Sequence, residues 1–450
     1  MDLLDFLGRI TSEKDTKMDF VESKLFEAST SNVSISQDST NVESTVSKGI
    51  FIRVLHNSFE GFASTENLSE MGVLRALEFA TKMVEAGYVF SPQKLESSVA
   101  KGAHACNAVN NEMPSDIDHV AKVRELRREY NNVCGHFSEG ENIKMYFSQV
   151  NQNQYYSNSL GKQYHISQTL IGTYYDVTRN SLRLFEGRNR VVSGEMSSES
   201  FSENVGSFLA RRFRELSIST SSPSGQMSVI TSPEVSGTLA HELGHIFEAD
   251  SGKVEYLRNH LDRQICSPEI SLIDEGNNSN FGGYCPVDDE GVDCKKALLI
   301  DSGYLSDFLT NRCTAEQFGL PCTGNARTDC HLRKPVVRMR QTYFEGGSDC
   351  LEDMISECQS GILVEKAAGG QNGPDGRLVL RCMLGRTIES GKLGKPVQNF
   401  NLSGNPLELL SAIQGLTKNK VLFNDKCGKD QIITIAHGGP FVKLRAEVQG

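Results

Sequence analysis

Apolar and polar positions alternate between residues 31 and 66, where VSISQDSTNVESTVSKGIFIRVLHNSFEGFAST reads as strands in a hairpin with one face in solvent. Lys48-Gly49 and Glu60-Gly61 are the turn signals within it. Ahead of it, residues 1–30 hold a helical stretch, with Phe6 and Ile10, and later Phe20, Leu25 and Phe26, as apolar points. The period changes at 68–87 (LSEMGVLRALEFATKMVEAG), an amphipathic helix closed by Gly87. These segments predict a sheet with a helix packed on it. Residues 94–118 carry no pattern and read as a loop, in which His104 and Cys106 are structural. A helix follows at 116–133, then strands at 143–178 and 181–195 with a turn at Tyr155–Asn158 and Gly161, then a helix at 202–216.

SISTSSPSGQ (217–226) is rich in Ser, Pro and Gly and marks the main boundary. Beyond it short strands and glycine turns dominate. AAGGQNGPDGRLVLRC is a turn feeding a strand, RTIESGKLGKPVQNFNL a hairpin, LELLSAIQGL a short helix, and VLFNDKCGKDQ and IITIAHGGPFVKLRAEV are strands. LIDEGNNSNFGGYCPVDDEG lacks EF-hand spacing and reads as a solvated loop. The expected fold is α+β, in two domains. Residues 1–216 form an N-terminal α/β domain with helices on an antiparallel sheet. Residues 217–450 form a β-rich C-terminal domain that carries a metal-binding helix.

That helix is SPEVSGTLAHELGHIFEAD, 232–250. Ser232 is placed to cap it and Pro233 to occupy its first turn. Val235, Leu239, Leu243 and Phe247 recur every fourth residue and give a packing face. His241, Glu242 and His245 form HExxH. Four residues turn a helix by about 400°, so the two imidazoles stack on one face and can share a Zn²⁺ or Fe²⁺ ion. Glu242 lies about a quarter-turn away, within reach of a water on the ion as general base. The bland alternative is a pair of satisfied polar histidines on a buried helix.

A catalytic zinc usually has three protein ligands and one open position. Position 251 is Ser, which excludes the metzincin third histidine. Glu255 and Glu269 stand where a gluzincin-type ligand could lie, and Glu248 returns to the histidine face. A distant soft ligand is the other option, and FNDKCGKDQ offers Cys427. A donor from a separate strand approaches the ion from a direction that three side chains of one helix cannot. Glu248 then suits the role of a carboxylate orienting a histidine ring. His437 is a further candidate to assist.

HELGHIFEAD resembles the metal motif of the TldD/PmbA family of metallopeptidases. The resemblance extends through VDDEGVD (287–293), ALLIDSGYLSDFL (297–309), PCTGNARTDC (321–330), VRMRQTYFEGGSDCLEDMI (337–355), ESGKLGKPVQNFNLSGNPLELL (389–410) and DKCGKDQ (425–431). One departure is that the bacterial motif is usually one residue longer, HExxxH. The resemblance implies His241, His245 and Cys427 as metal ligands, Glu242 as the base, and the metal-bearing type of subunit. It further implies unfolded peptides or small proteins as substrates, as in leader-peptide removal or peptide maturation. It also implies a homodimer, or a heterodimer with a metal-free homologue.

Composition narrows this reading. The 450 residues carry a formal net charge of -11, against nucleic acid as a partner. No apolar run approaches the ~18 residues of a membrane span. MDLLDFLGRITSEKD has no basic n-region, so the expected location is cytoplasmic. Twelve cysteines without a CxxC pair read as reduced, mostly buried thiols. Arg211, Arg212 and Arg214 read as a solvated helix face. The expected function is a metal-dependent peptidase with one divalent ion per subunit, Zn²⁺ or Fe²⁺. The competing classes are a non-catalytic subunit of a TldD/PmbA-type dimer and an amidohydrolase acting on small molecules.

Overall fold

The computed structural model describes residues 3–12, 18–87, 89, 106–108, 119–192, 205–373 and 376–450. The chain opens with α1 (Leu3–Ser12), which buries Phe6, Leu7 and Ile10. Phe20, Leu25 and Phe26 lie on a strand rather than in a helical stretch. That strand is β1 (Phe20–Ile35), followed antiparallel by β2 (Thr40–His56) and β3 (Phe59–Thr65). The turns are not where glycine suggested. One is at 36–39; the other is Asn57-Ser58, both left-handed at φ 51° and 64°. Gly49 and Gly61 sit mid-strand as packing glycines. A Cβ at Gly49 would lie 2.3 Å from the His331 ring, and one at Gly61 1.9 Å from the Ala80 carbonyl oxygen.

Ser69 caps α2 (Glu70–Glu85), which lays Val73, Ala76, Ala80 and Val84 on the sheet and ends at Gly87, φ 65°. β4 (Cys106–Ala108) pairs parallel with a later strand; His104 and the rest of the 94–118 stretch lie outside the described residues. Next come α3 (His119–Cys134) and the antiparallel β5 (Asn142–Asn158), β6 (Gln163–Arg179) and β7 (Leu182–Val192). β5 runs through the expected turn, and the chain reverses at Ser159–Lys162. α4 (Val205–Ser217) packs Leu209 and Phe213 beside α3 residues Leu126 and Tyr130.

The 217–226 segment is not a bare linker, because β8 (Thr220–Ser221) and the start of β9 (Gly225–Thr231) fall in it. After β9 come α5 (Pro233–Gly244), a 3₁₀ turn (His245–Phe247), α6 (Val254–Leu257), β10 (Leu272–Glu275), β11 (Ala297–Asp301) and β12 (Tyr304–Leu305). Then follow α7 (Arg312–Phe318), β13 (Ala326–Arg327), β14 (Val336–Val337), β15 (Gln341–Phe344) and α8 (Leu351–Ser356). The chain ends with β16 (Ser360–Asn372), β17 (Leu378–Glu389), β18 (Lys392–Gly404), α9 (Pro406–Ser411), β19 (Ile413–Leu416), β20 (Val421–Lys429), β21 (Gln431–Gly439) and β22 (Val442–Gln449).

Two large sheets organise most of these strands, and β13 and β14 pair with each other outside them. The larger runs β12-β11-β10-β15-β21-β20-β7-β6-β5-β1-β2-β3, with β4 beside β6. The two halves of the chain meet in it at β20 and β7, through the pair Asn424 and Asn189. The smaller sheet runs β19-β22-β9-β16-β17-β18-β8, and β18 also pairs with β22, closing five strands on themselves. The architecture is therefore α+β, as expected. α5 lies between the sheets, against β15, β20 and β21 on one side and β16 and β17 on the other. The main core joins its Val235, Leu239 and Leu243 to Val364, Leu380 and Leu444 of the closed strands.

The acidic stretch before Gly291 is not a solvated loop. Leu272–Glu275 is a buried strand, and Asp288, Asp289 and Glu290 are buried. Glu22 on β1 takes Arg53 on β2, Arg312 at 2.9 Å and the Tyr156 hydroxyl at 2.6 Å. Glu290 takes Arg53 at 2.7 Å and the Arg312 backbone N–H at 2.8 Å, while Asp289 pairs with Lys24. Residues from both halves thus share one buried charge network. Removing one partner strands the others without water. Arg312→Leu should lower stability by about 3–5 kcal/mol, read as a shifted denaturant midpoint, whereas Lys82→Ala at the exposed pair with Glu78 should not move it. A wild-type midpoint for Arg312→Leu would refute the network's role.

Candidate metal centre

The site begins at the end of β9. The Ser232 hydroxyl accepts the Val235 N–H at 3.5 Å and Pro233 fills the first turn, so α5 starts as its sequence requires. Every residue from Val235 to Gly244 is buried. Gly237 lets the helix touch β21, where a Cβ would stand 2.8 Å from the Gly438 nitrogen. The Ser236 hydroxyl donates to the Pro440 carbonyl at 2.6 Å beside that contact. Gly244 leaves room for the Met339 sulfur, 2.4 Å from where its Cβ would be.

His241 and His245 lie side by side on one face as the spacing predicts, edge to face with ring centroids 4.7 Å apart. The α-helix, however, stops at Gly244, and Glu248 leaves the 3₁₀ turn in extended conformation instead of continuing a helical face. Its carboxylate still reaches His245 Nδ1 at 2.9 Å. That contact makes Nδ1 the protonated nitrogen and turns the Nε2 lone pair the other way. There it meets Cys427 of β20, whose Sγ is 3.5 Å from His245 Nε2. One donor atom from each of His241, His245 and Cys427 lies within 4.8 Å of the others. Glu255 and Glu269 are exposed and outside this group.

Three further side chains complete the arrangement, and sequence reasoning missed their roles. Arg338 is fully buried and donates to the carbonyls of Cys427 at 2.8 Å and of Lys429 and Gln431 at 2.9 Å, so one guanidinium clamps the β20–β21 turn. Lys429, two residues beyond Cys427 on the same strand face, bonds Glu248 at 3.0 Å and Asp250 at 2.5 Å. Asn372 donates to the backbone carbonyl of Glu242 at 3.1 Å and to its Oε2 at 3.3 Å. Their partners are backbone groups or residues far away in the chain, which leave no periodic trace. The only available signal was that Arg338 and Lys429 fall inside VRMRQ and DKCGKDQ. Gly370 is bare because a Cβ there would be 2.4 Å from Glu242 Cγ.

Burial would raise the Cys427 thiol, but His241 and His245 beside it overcome that and bring it down to about 5. Burial would lower His245, but the Glu248 charge and the bond to Cys427 lift it to about 10. Each favours the other's charged form, and a divalent ion held between them would take the place of the proton on His245 Nε2. Burial raises Glu242, only partly offset by the two histidines. A cleft of about 630 Å³ exposes His241, Glu242, His245 and Cys427 together. It shares Thr238, Ala368, Gly369, Asp425 and His437 with a neighbouring cleft of about 940 Å³. Two imidazoles and a thiolate are a donor set suited to zinc or a similar divalent ion. The 3.5 Å nitrogen–sulfur separation is close to what bonds of about 2.0 and 2.3 Å to one tetrahedral ion require.

Fold and site together define an α+β protein in which a buried HExxH helix meets a cysteine strand between two sheets. Residues 224–442 match the PmbA/TldA metallopeptidase C-terminal domain. A metalloprotease of Methanothermobacter thermautotrophicus is 26% identical over 99% of this chain and 98% of its own. A zinc metalloprotease TldD homolog of Saccharolobus solfataricus is 26% identical over 92% of each chain. The solved TldE of Thermococcus kodakarensis shares the fold, with TM-score 0.73 at 18% identity over 100% of both chains. A Bacteroides thetaiotaomicron protein does so at TM-score 0.76 and 17% identity, over 100% of this chain and 97% of that one. Residues 224–442 thus carry the PmbA/TldA metallopeptidase C-terminal domain, and the chain over most of its length is similar to TldD-type metalloproteases.

The Cys427 shift has a direct readout. Its thiol is depressed, so the thiolate should persist as pH falls and disappear only through about 5. In chelator-treated protein, thiolate ultraviolet absorbance lost in Cys427→Ser should titrate there; a midpoint in the ordinary thiol range, about 8.5, would contradict the geometry.

Proposed function

We propose that the chain is the metal-bearing, catalytic type of TldD/PmbA subunit, a peptidase acting on unfolded peptides or small proteins. The observation that carries this is the convergence of His241, His245 and Cys427 donor atoms within 4.8 Å, in the cleft that also exposes Glu242. These three residues would hold one divalent ion, Zn²⁺ or Fe²⁺. Such an ion supplies Lewis acidity to a carbonyl and acidifies water. Glu242 takes the water's proton and passes it to the leaving amine, and its raised affinity for protons suits that double duty. Glu248 holds the His245 ring, and Asn372 holds Glu242.

An extended substrate fits the strand geometry. β9 pairs with β16 only from Gly361 to Val364. Farther along, Gly369–Asn372 line the cleft while pairing with β17 on the other side. An added peptide strand could satisfy the open edge there. Leader-peptide removal or peptide maturation is the physiological setting this suggests, in the cytoplasm. Among the described residues no helix is long and apolar enough to cross a membrane.

Glu242→Gln should keep the fold and the bound metal but lose casein cleavage by roughly 10²–10⁴-fold. Cys427→Ala should lose most of its metal, and Glu248→Gln should weaken metal binding by about 10–100-fold. Near-normal turnover by Glu242→Gln would sink the mechanism. Normal metal content in Cys427→Ala with loss in Glu248→Gln would transfer the third ligand to Glu248.

The functional particle is proposed to be a dimer, of two copies or with a metal-free relative. The exposed far part of β2, from Glu43 to Lys48, leaves a strand edge that association would cover. Light scattering should give a dimer mass for the chain alone or with such a relative. A monomer that cleaves peptides at full rate would refute the pairing.

A further inference from the structure

His437 sits on β21, paired across the sheet with Phe423 and Thr342, and lines both clefts where they join. It is 4% exposed, and its ring centroid is 6.2 Å from that of His241. It is not one of the three converging donors. Among the described residues its imidazole has no hydrogen-bond partner; the closest charged group is the Asp425 carboxylate, at 3.6 Å. The unpartnered ring borders the clefts rather than being sealed away from them.

Several other donors bordering the clefts are committed. Lys366 is held between Glu186 and Glu234, Lys429 between Glu248 and Asp250, and Asn372 on Glu242. The Thr238 hydroxyl donates to the Glu234 carbonyl. His437 is uncommitted, buried and open to the space a peptide would cross.

We propose that His437 is a further catalytic residue, donating its ring N–H to the carbonyl oxygen of the peptide bond being cleaved. The proposal rests on the peptidase reading above. Burial depresses the ring to about 4, so at neutral pH it is uncharged and keeps one N–H to give. As the carbonyl oxygen gains negative charge, a donor already fixed in a buried cleft strengthens its bond without reorganising. The histidine transfers no proton in this step; the proton balance stays with Glu242 and the leaving amine.

The test uses the full chain, metal-loaded, with fluorescein-labelled casein as an unfolded substrate. His437→Leu removes the donor; His437→Asn and His437→Gln retain one. Metal stoichiometry is measured on every variant. His437→Leu should lower kcat by about 10²-fold, leave KM within about threefold, and keep its metal. At least one amide variant should recover about tenfold of the loss. Unchanged kcat in His437→Leu, a loss that tracks metal content, or no recovery by either amide would overturn the proposal. Casein cleavage equally fast in Glu242→Gln and in chelator-treated wild type would instead overturn the metallopeptidase reading, whatever His437→Leu does.

Discussion

Gly237 against Gly438 is the contact on which the site's geometry depends. Cys427 and His245 are far apart in sequence, and nothing local sets their distance. It is set where α5 lies directly on the backbone of β21, because Gly237 puts no side chain between them. β21 is hairpin-paired to β20 through Cys427 and Ile433, so the helix-to-strand spacing becomes the nitrogen-to-sulfur spacing. Arg338 then fixes the turn of that hairpin through three carbonyls. Even one methyl group at Gly237 would force the backbones apart, and the donor set would open. Close packing transmits such a shift instead of absorbing it.

The second constraint is electrostatic and joins the halves. Glu22 and Arg53 come from the first strands of the chain, Glu290 and Arg312 from the segment beyond the metal helix. Each charge is buried, and each is tolerable only because the others are present. The β20–β7 seam carries one residue pair, so this network is a main tie between early and late strands. His331 inserting against Gly49 is another, a late side chain filling the space an early glycine leaves.

Much of this was legible in the sequence. The cap, the proline and the four-residue apolar repeat gave α5, because those signals act within one helical turn. The β17–β18 hairpin was legible for the same reason, and its turn falls at Ser390 and Gly391, both left-handed. What failed were signals with two physical meanings. Glycine marks a turn or a close approach, and at Gly49 and Gly61 the second was true. An Asp- and Glu-rich stretch marks a wet loop or a buried network, and 288–290 was the second. The deciding partners, Arg53, Arg312 and Lys24, lie far away in the chain. His241, Glu242 and His245 were legible as a site because their spacing is local. Cys427 came from resemblance, and Arg338, Lys429 and Asn372 from the fold alone.

Glu242 and Glu248 show how one short segment separates two chemical roles. Both are carboxylates, six positions apart, and both are buried. Burial alone would raise both. At Glu248 the His245 ring and Lys429 reverse it and hold the group charged. At Glu242 the side-chain hydrogen-bond donor among the described residues is the neutral amide of Asn372, and burial prevails. Glu248 therefore stays a fixed anion, suited to hold an imidazole and unsuited to exchange protons near neutral pH. Glu242 is the carboxyl that can accept and release one. Had the α-helix run on past Gly244, Glu248 would have stayed on the histidine face. The break into a 3₁₀ turn and extended chain brings it instead beside Lys429, where its charge is secured. Divergent environments around like groups separate their proton affinities, and here the backbone break after Gly244 creates the divergence.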